Sequence, residues 1–115
     1  MKTIIAGCRD FHDYDIMLNG IQESNFTISE VVSGAAKGVD SLGEQYAQEY
    51  NLSVSVFPAN WNKHGNAAGP IRNKQMAEYA DQLIAVWDGK SKGTKNMIDQ
   101  MNKQNKPVYI VKIDR

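Results

Sequence analysis

Short apolar runs alternate with helical patterns from one end of the chain to the other. Thr3-Ile4-Ile5-Ala6 closes at Gly7, Glu30-Val31-Val32-Ser33 at Gly34, and Ser53-Val54-Ser55-Val56-Phe57 at Pro58. Gln82-Leu83-Ile84-Ala85-Val86-Trp87 closes at Asp88-Gly89, and Val108-Tyr109-Ile110-Val111-Lys112 is the fifth run. Runs of this length, rich in branched residues and ended by turn formers, predict strands. Between them the spacing predicts helices over 14–23, 39–50, 69–79 and 94–104. The second is the clearest: Val39, Leu42, Tyr46, Ala47 and Tyr50 recur every three or four residues, and Asp40-Ser41 stands where a cap belongs. Strict alternation of strand and helix predicts an α/β domain with a five-stranded parallel sheet. Right-handed crossovers make 3-2-1-4-5 the economical strand order. No repeat, low-complexity tract or linker divides the chain, so residues 1–115 read as one domain.

In such a sheet ligands bind beyond the carboxyl ends of the strands, where strand order reverses. The polar and glycine-rich residues fall at those ends. They are Gly7-Cys8-Arg9-Asp10, Ser33-Gly34-Ala35-Ala36-Lys37-Gly38-Val39-Asp40, the stretch 58–73, and Asp88-Gly89-Lys90-Ser91-Lys92-Gly93-Thr94. The last precedes a helix, so backbone N–H groups, the helix dipole and the hydroxyls of Ser91 and Thr94 suit a phosphate, with Lys90 and Lys92 nearby. Gly34 and Gly38 offer a second loop whose backbone a ligand can approach, although a glycine turn that only packs strand on helix explains them equally well. Arg9 and Arg72 carry the planar fork that suits phosphate or carboxylate. Asp40 is a ribose-hydroxyl acceptor or merely a helix cap. Trp61 and Trp87 fit the core or its rim better than a base-stacking role.

Composition narrows the field. With Lys+Arg 13 and Asp+Glu 13 the formal net charge is +0, which argues against sequence-independent nucleic-acid binding. Cys8 is the single cysteine and has no internal disulfide partner, as expected in a reducing compartment. The start MKTIIAGCRD meets charge too early for a signal peptide, and no run approaches a membrane span, so a cytoplasmic protein is expected. His12 and His64 lie far apart and no metal-ligand spacing occurs, so no metal and no cofactor are expected. Cys8 beside Arg9 has no histidine or asparagine placed to make it a nucleophile.

Several motifs together carry a family resemblance. The loop 33–40 resembles the S-G-x-A-x-G-x-D segment of the Smf/DprA proteins. Arg72-Asn73-Lys74-Gln75-Met76 and Gly93-Thr94 resemble the R-K-x-x-M and P-G-G-x-G-T-x-x-E motifs of the LOG (lonely guy) hydrolases. With Ala6-Gly7-Cys8-Arg9-Asp10-Phe11 and Ala68-Gly69-Pro70-Ile71-Arg72-Asn73, the pattern is similar to the small YspA/YpsA-like branch of the SLOG superfamily. The resemblance spans nearly the whole chain and implies a Rossmann-like three-layer sandwich that binds a nucleotide or nucleotide-derived ligand as a sensor, carrier or sequestering module. It implies a site lined by Gly7, Arg9, Gly34, Gly38, Asp40, Arg72, Asn73, Gly93 and Thr94, and a homo-oligomer. Asp10, Ser33, Ala35, Asp88, Gly89 and Ser91 join the candidate ligand-binding set from the same loops.

The LOG enzymes cleave the N-glycosidic bond of a nucleoside monophosphate. Here Met97 occupies the place of their glutamate, and a thioether neither activates water nor stabilises an oxocarbenium-like centre. A hydrolase of a nucleoside monophosphate or ADP-ribose-type derivative is therefore the alternative. It requires Arg72 to hold phosphate and Asp10, Asp40 or Asp88 to supply the carboxylate. Single-stranded DNA binding rests on the Smf/DprA likeness alone and runs against the neutral charge.

Overall fold

A computed structural model describes residues 1–114. Five strands, β1 (Lys2–Gly7), β2 (Glu30–Ser33), β3 (Ser53–Val56), β4 (Gln82–Trp87) and β5 (Val108–Lys112), form one sheet in the order β3-β2-β1-β4-β5, every pair parallel. Central β1 pairs Ile4 with Val32 on one side and with Leu83 on the other. The fold is the expected three-layer α/β sandwich.

Both faces of the sheet are covered, which is why β1, β2 and β4 read as nearly continuous apolar runs. On one face α1 (Tyr14–Ser24) and α2 (Val39–Glu49) bury Met17, Ile21, Val39, Tyr46 and Ala47 against Ile5, Val31, Ile84 and Val86. On the other, α4 (Ala68–Tyr79) and α5 (Lys92–Lys103) bury Met76, Ala77, Met97, Ile98 and Met101 against Ile4, Ala6, Val32, Leu83 and Ala85. Successive strand residues alternate between these two cores.

Element ends differ from the sequence pattern in three instructive places. The stretch 58–73 holds a short helix α3 (Trp61–His64) and a 3₁₀ turn (Gly65–Ala67) before α4 begins. Four residues show no periodicity, and α3 exists because the Asn60 side chain accepts the Lys63 N–H at 3.1 Å. Helix α5 starts at Lys92 rather than Thr94, because Ser91 is its cap and accepts the Thr94 N–H. Helix α2 is not capped by Asp40: Gly38 occupies the cap position and makes no side-chain bond, while Ser41 Oγ donates back to the Ala36 carbonyl. Among the described residues no helix is long and apolar enough to cross a membrane.

The end of α4 carries no basic residue of its own. Lys106, arriving from the turn before β5, supplies the charge: its Nζ donates to the carbonyls of Ala77 and Ala80 at 2.7 Å and of Glu78 at 3.3 Å. Lys106→Met is expected to lower unfolding free energy by about 1.5–3 kcal/mol in urea titrations, the usual worth of hydrogen bonds to a charged group. A change below about 0.5 kcal/mol would mean that water satisfies these carbonyls equally well.

Candidate functional site

The strand order reverses between β1 and β4, and a cleft of about 370 Å³ opens above their carboxyl ends. Ala6, Gly7 and Arg9 enter it from the end of β1 and the loop after it, Ala36 from the β2–α2 connection, Asp40 from the first turn of α2, and Trp61 from α3. Gly69, Pro70, Arg72, Asn73 and Met76 of α4 form one wall; Ser91, Lys92, Gly93, Thr94, Asn96 and Met97 at the start of α5 form the facing one. A second hollow of about 330 Å³ adjoins it, lined by Gly34, Ala35, Lys37, Pro58 and Ala59 and bordered again by Arg9, Ala36, Trp61 and Arg72.

The loop after β2 is shaped by what must pass close to it. Gly34 has no room for a side chain, since a Cβ there would lie 2.5 Å from Arg72 Nη1 and 2.9 Å from Asp40 Oδ2. Gly38 has a φ of +72° and packs directly on the carbonyls of Cys8 and Arg9, so neither its conformation nor its surroundings admit a larger residue. The Asp40 carboxylate, 5% exposed, accepts the Ala36 N–H at 3.1 Å and so holds the loop from α2. Burial pushes the Asp40 pKa above the ordinary carboxylate value, against the lowering pull of the Ala36 bond and of the Arg72 charge.

Arg72 grips the same loop from the other side, donating through Nη1 to the Gly34 carbonyl. Its Nε donates to Asn73 Oδ1 at 3.0 Å, and Asn73 Nδ2 donates onward to Asn96 Oδ1 at 3.0 Å and the Gly93 carbonyl at 3.3 Å. A single polar chain therefore crosses the floor of the cleft from the β2 loop to the start of α5. Burial lowers the Arg72 pKa, the Asp40 charge opposes that, and the charge of Arg9 adds to the lowering. Arg9 and Arg72 both border the cleft and the adjoining hollow. Arg9 also lies over the Trp61 ring, 5.9 Å from its centroid, and Trp61 is 48% exposed at the rim.

At the start of α5, Asp88 Oδ1 accepts the N–H groups of Lys90 and Ser91 at 2.8 and 2.9 Å and folds the turn. Ser91 Oγ and Thr94 Oγ1 lie 3.0 Å apart. First-turn N–H groups have no carbonyl within their own helix, and open space faces Gly93. Helix α4 also begins beside the cleft, but it continues the 3₁₀ turn: the Ala68 N–H donates to the Gly65 carbonyl and Pro70 has no N–H. The open helix end of α5 and two arginines thus border one cavity, against one lining carboxylate among the described residues, Asp40.

Of the residues singled out in the sequence, Gly7, Arg9, Asp40, Arg72, Asn73, Ser91, Gly93 and Thr94 line the cleft, and Gly34 and Ala35 line the adjoining hollow. Five others line neither. Asp10 lies in a separate surface hollow with His12 and Asp13, while Ser33 Oγ donates to Glu44 and accepts the Ala35 N–H. Gly38 is buried against backbone, and Asp88 and exposed Gly89, at φ +81°, build the turn behind Ser91. The two tryptophans separate: Trp87 donates its indole N–H to the Ser91 carbonyl and packs on the α4–α5 core, whereas Trp61 stands at the rim. Asn96 lines the cleft from outside the motif residues, while Ala36, Gly69, Pro70 and Met76 lie within the motifs but were not among the candidate site residues. Spacing offered a clue, since Met76 and Asn96 each lie three residues beyond Asn73 and Gly93 on their helices. Among the described residues no His, Cys, Asp or Glu group is arranged to hold a metal ion.

Residues 1–64, more than half of the chain, match the YAcAr family, described as the YspA, cpYpsA-related SLOG family, and the protein belongs to that family. Gene 61 protein of Mycobacterium phage D29 is 28% identical over 117 residues, covering 93% of each chain. DNA processing protein A (DprA) from Streptococcus pneumoniae superposes with a TM-score of 0.73 over 95% of this chain at 14% sequence identity, a likeness of fold. The chain spans about half of that protein, 49% of its length.

The raised Asp40 pKa fixes the sign of a pH effect. The folded state binds a proton that the unfolded state, near the ordinary value of 3.8, releases, so Asp40 contributes most below that value and the contribution is lost as pH rises through the folded pKa. Urea unfolding from about pH 4 to 8 should show the native protein losing stability relative to Asp40→Asn as pH increases. A pH-independent difference between the two would contradict the shift.

Proposed function

We propose that the protein binds a nucleotide or nucleotide-derived ligand by its phosphate in the cleft, acting as a sensor, carrier or sequestering module. The observation that carries the reading is the shared cavity of Arg9, Arg72 and the start of α5. Two guanidinium groups beside the N-terminus of α5 leave positive potential that a phosphate neutralises. Apolar walls from Met76, Met97 and Pro70 suit the organic part of such a ligand, and a volume near 370 Å³ lies within the range of small-ligand sites. SLOG family membership associates the chain with nucleotide-related binding or processing.

Binding is favoured over hydrolysis because Met97 is buried at the cleft wall and Asp40 is committed to the Ala36 amide. Release of free base from AMP, abolished by Asp40→Asn, would replace this reading with the hydrolase. The pneumococcal neighbour is a DNA processing protein, which raises nucleic acid as a partner, but a net charge of +0 supplies little of the attraction that a phosphate backbone requires.

Calorimetry with AMP and adenosine tests the proposal. AMP should bind and adenosine should bind at least about tenfold more weakly, a difference near 1.4 kcal/mol. Arg72→Lys, which keeps the charge but loses the fork, should weaken AMP by about tenfold or more. Equal affinity for AMP and adenosine would remove the phosphate from the account.

A further inference from the structure

The segment between β3 and α4 is held differently from its neighbours. From Pro58 to Ala67 no residue is buried. Strands β3 and β5 also bury little, but their ladders to β2 and β4 hold them, and this segment has no ladder. Its ends are fixed: the Phe57 N–H donates to the Ser33 carbonyl at 2.8 Å, and Ala68 is buried at the start of α4. The bonds that shape the stretch between them are local. The His64 N–H donates to the Asn60 carbonyl at 3.0 Å and the Lys63 N–H to the Asn60 side chain. Stretches with so little buried surface open at low free energy, and the covers of binding sites are drawn from them.

Trp61 puts this segment at the mouth of the cleft. Its indole borders the cleft, the adjoining hollow and a shallow third hollow lined by Pro58, Ala59, Asn60 and Asn62. It lies beside Gly69, where a Cβ would stand 3.5 Å from the indole Cη2, and against the Arg9 guanidinium. Gly65 ends α3 at φ +56° and ψ −134°, and a side chain there would meet no atom within 4 Å. Glycine at this position therefore serves the backbone turn and not packing, and the chain has room to rotate there.

We infer that residues 58–67 form a lid that closes over an anion held by Arg9 and Arg72, carrying Trp61 inward from the rim with Gly65 as a hinge. The inference rests on the phosphate-binding reading and adds a regulated entrance to it. Arg9 supplies the coupling, since the same guanidinium meets the lid through the Trp61 ring and lines the cleft where the phosphate sits. The closed state gains a contact that the open state lacks, indole against the organic part of the ligand, so binding shifts the equilibrium toward closure.

Hydrogen exchange and stopped-flow binding, with AMP as the probe, test the lid. In the free protein the amides of Lys63, His64 and Gly65 should exchange within about a hundredfold of an unfolded peptide, and AMP should slow them about tenfold or more. These three residues line neither the cleft nor the hollows beside it, so their slowing reads closure of the segment rather than contact with AMP. Trp61→Ala, at an exposed position outside the core, should leave the association rate within about threefold and speed AMP release about tenfold. Trp61→Phe, which keeps an aromatic face, should hold release within about threefold of the native rate. AMP that binds without slowing these amides, or release unchanged in Trp61→Ala, would overturn the lid and leave the phosphate site standing. Amides of Lys63, His64 and Gly65 as slow in the free protein as those of α4 would overturn it before any ligand is added. Failure of AMP to bind would overturn both the lid and the phosphate site.

Discussion

The site depends on one short piece of backbone, residues 34–36, held between a buried carboxylate and a half-buried guanidinium. Asp40 takes the Ala36 N–H from the start of α2, and Arg72 donates to the Gly34 carbonyl from α4, on the other side of the sheet. Gly34 lets both approach, because any side chain would displace them. Burying a carboxylate or a guanidinium without partners is costly, so each is retained only while the other and the loop amides compensate it. The loop thereby ties together helices that cover opposite faces of the sheet, and the cleft exists where they meet.

From that clamp the electrostatics of the cleft follow. Arg72 cannot move far, since Asn73 holds its Nε and is itself held by Asn96 and the Gly93 carbonyl. Arg9 is kept nearby through the Trp61 ring, although its charge opposes that of Arg72. Two like charges and the N-terminus of α5 bordering one cavity form an arrangement that an anion stabilises. Pro70, Met76 and Met97 add apolar wall, so the attraction is local to the cleft rather than spread across the surface. That distinction matters for a chain of net charge +0, whose net charge adds little long-range pull on a polyanion.

Much of the architecture was legible in the sequence because parallel strands buried on both faces leave unbroken apolar runs, and each of the first four ends at a turn former. Strand order followed from handedness and short connections. The short helix α3 was not legible, since Trp61-Asn62-Lys63-His64 has no period to detect and depends on one side-chain cap from Asn60. Nor was the role of Asp40, because a capping aspartate and one reaching back to a loop amide look alike in sequence. The arginines were recognisable as candidates from their chemistry and motifs. Their convergence was not, as Arg9 and Arg72 come from opposite ends of the first two-thirds of the chain and meet only through β1 and α4. Gly38 and Asp88 belong to the loops around the cleft without lining it, since motif spacing locates a loop but not the direction its side chains face.

The central claim is that two guanidinium groups and the first turn of α5 hold the oxygens of one phosphate. The most direct measurement is an NMR titration of isotopically labelled protein with AMP, following backbone amides and the Nε–H signals of the two arginines. The account predicts the largest shifts at the amides of Lys92, Gly93 and Thr94 and at the Nε–H groups of Arg9 and Arg72, all saturating with one binding constant. Shifts confined to other surfaces, or arginine signals that stay still while AMP binds, would contradict it.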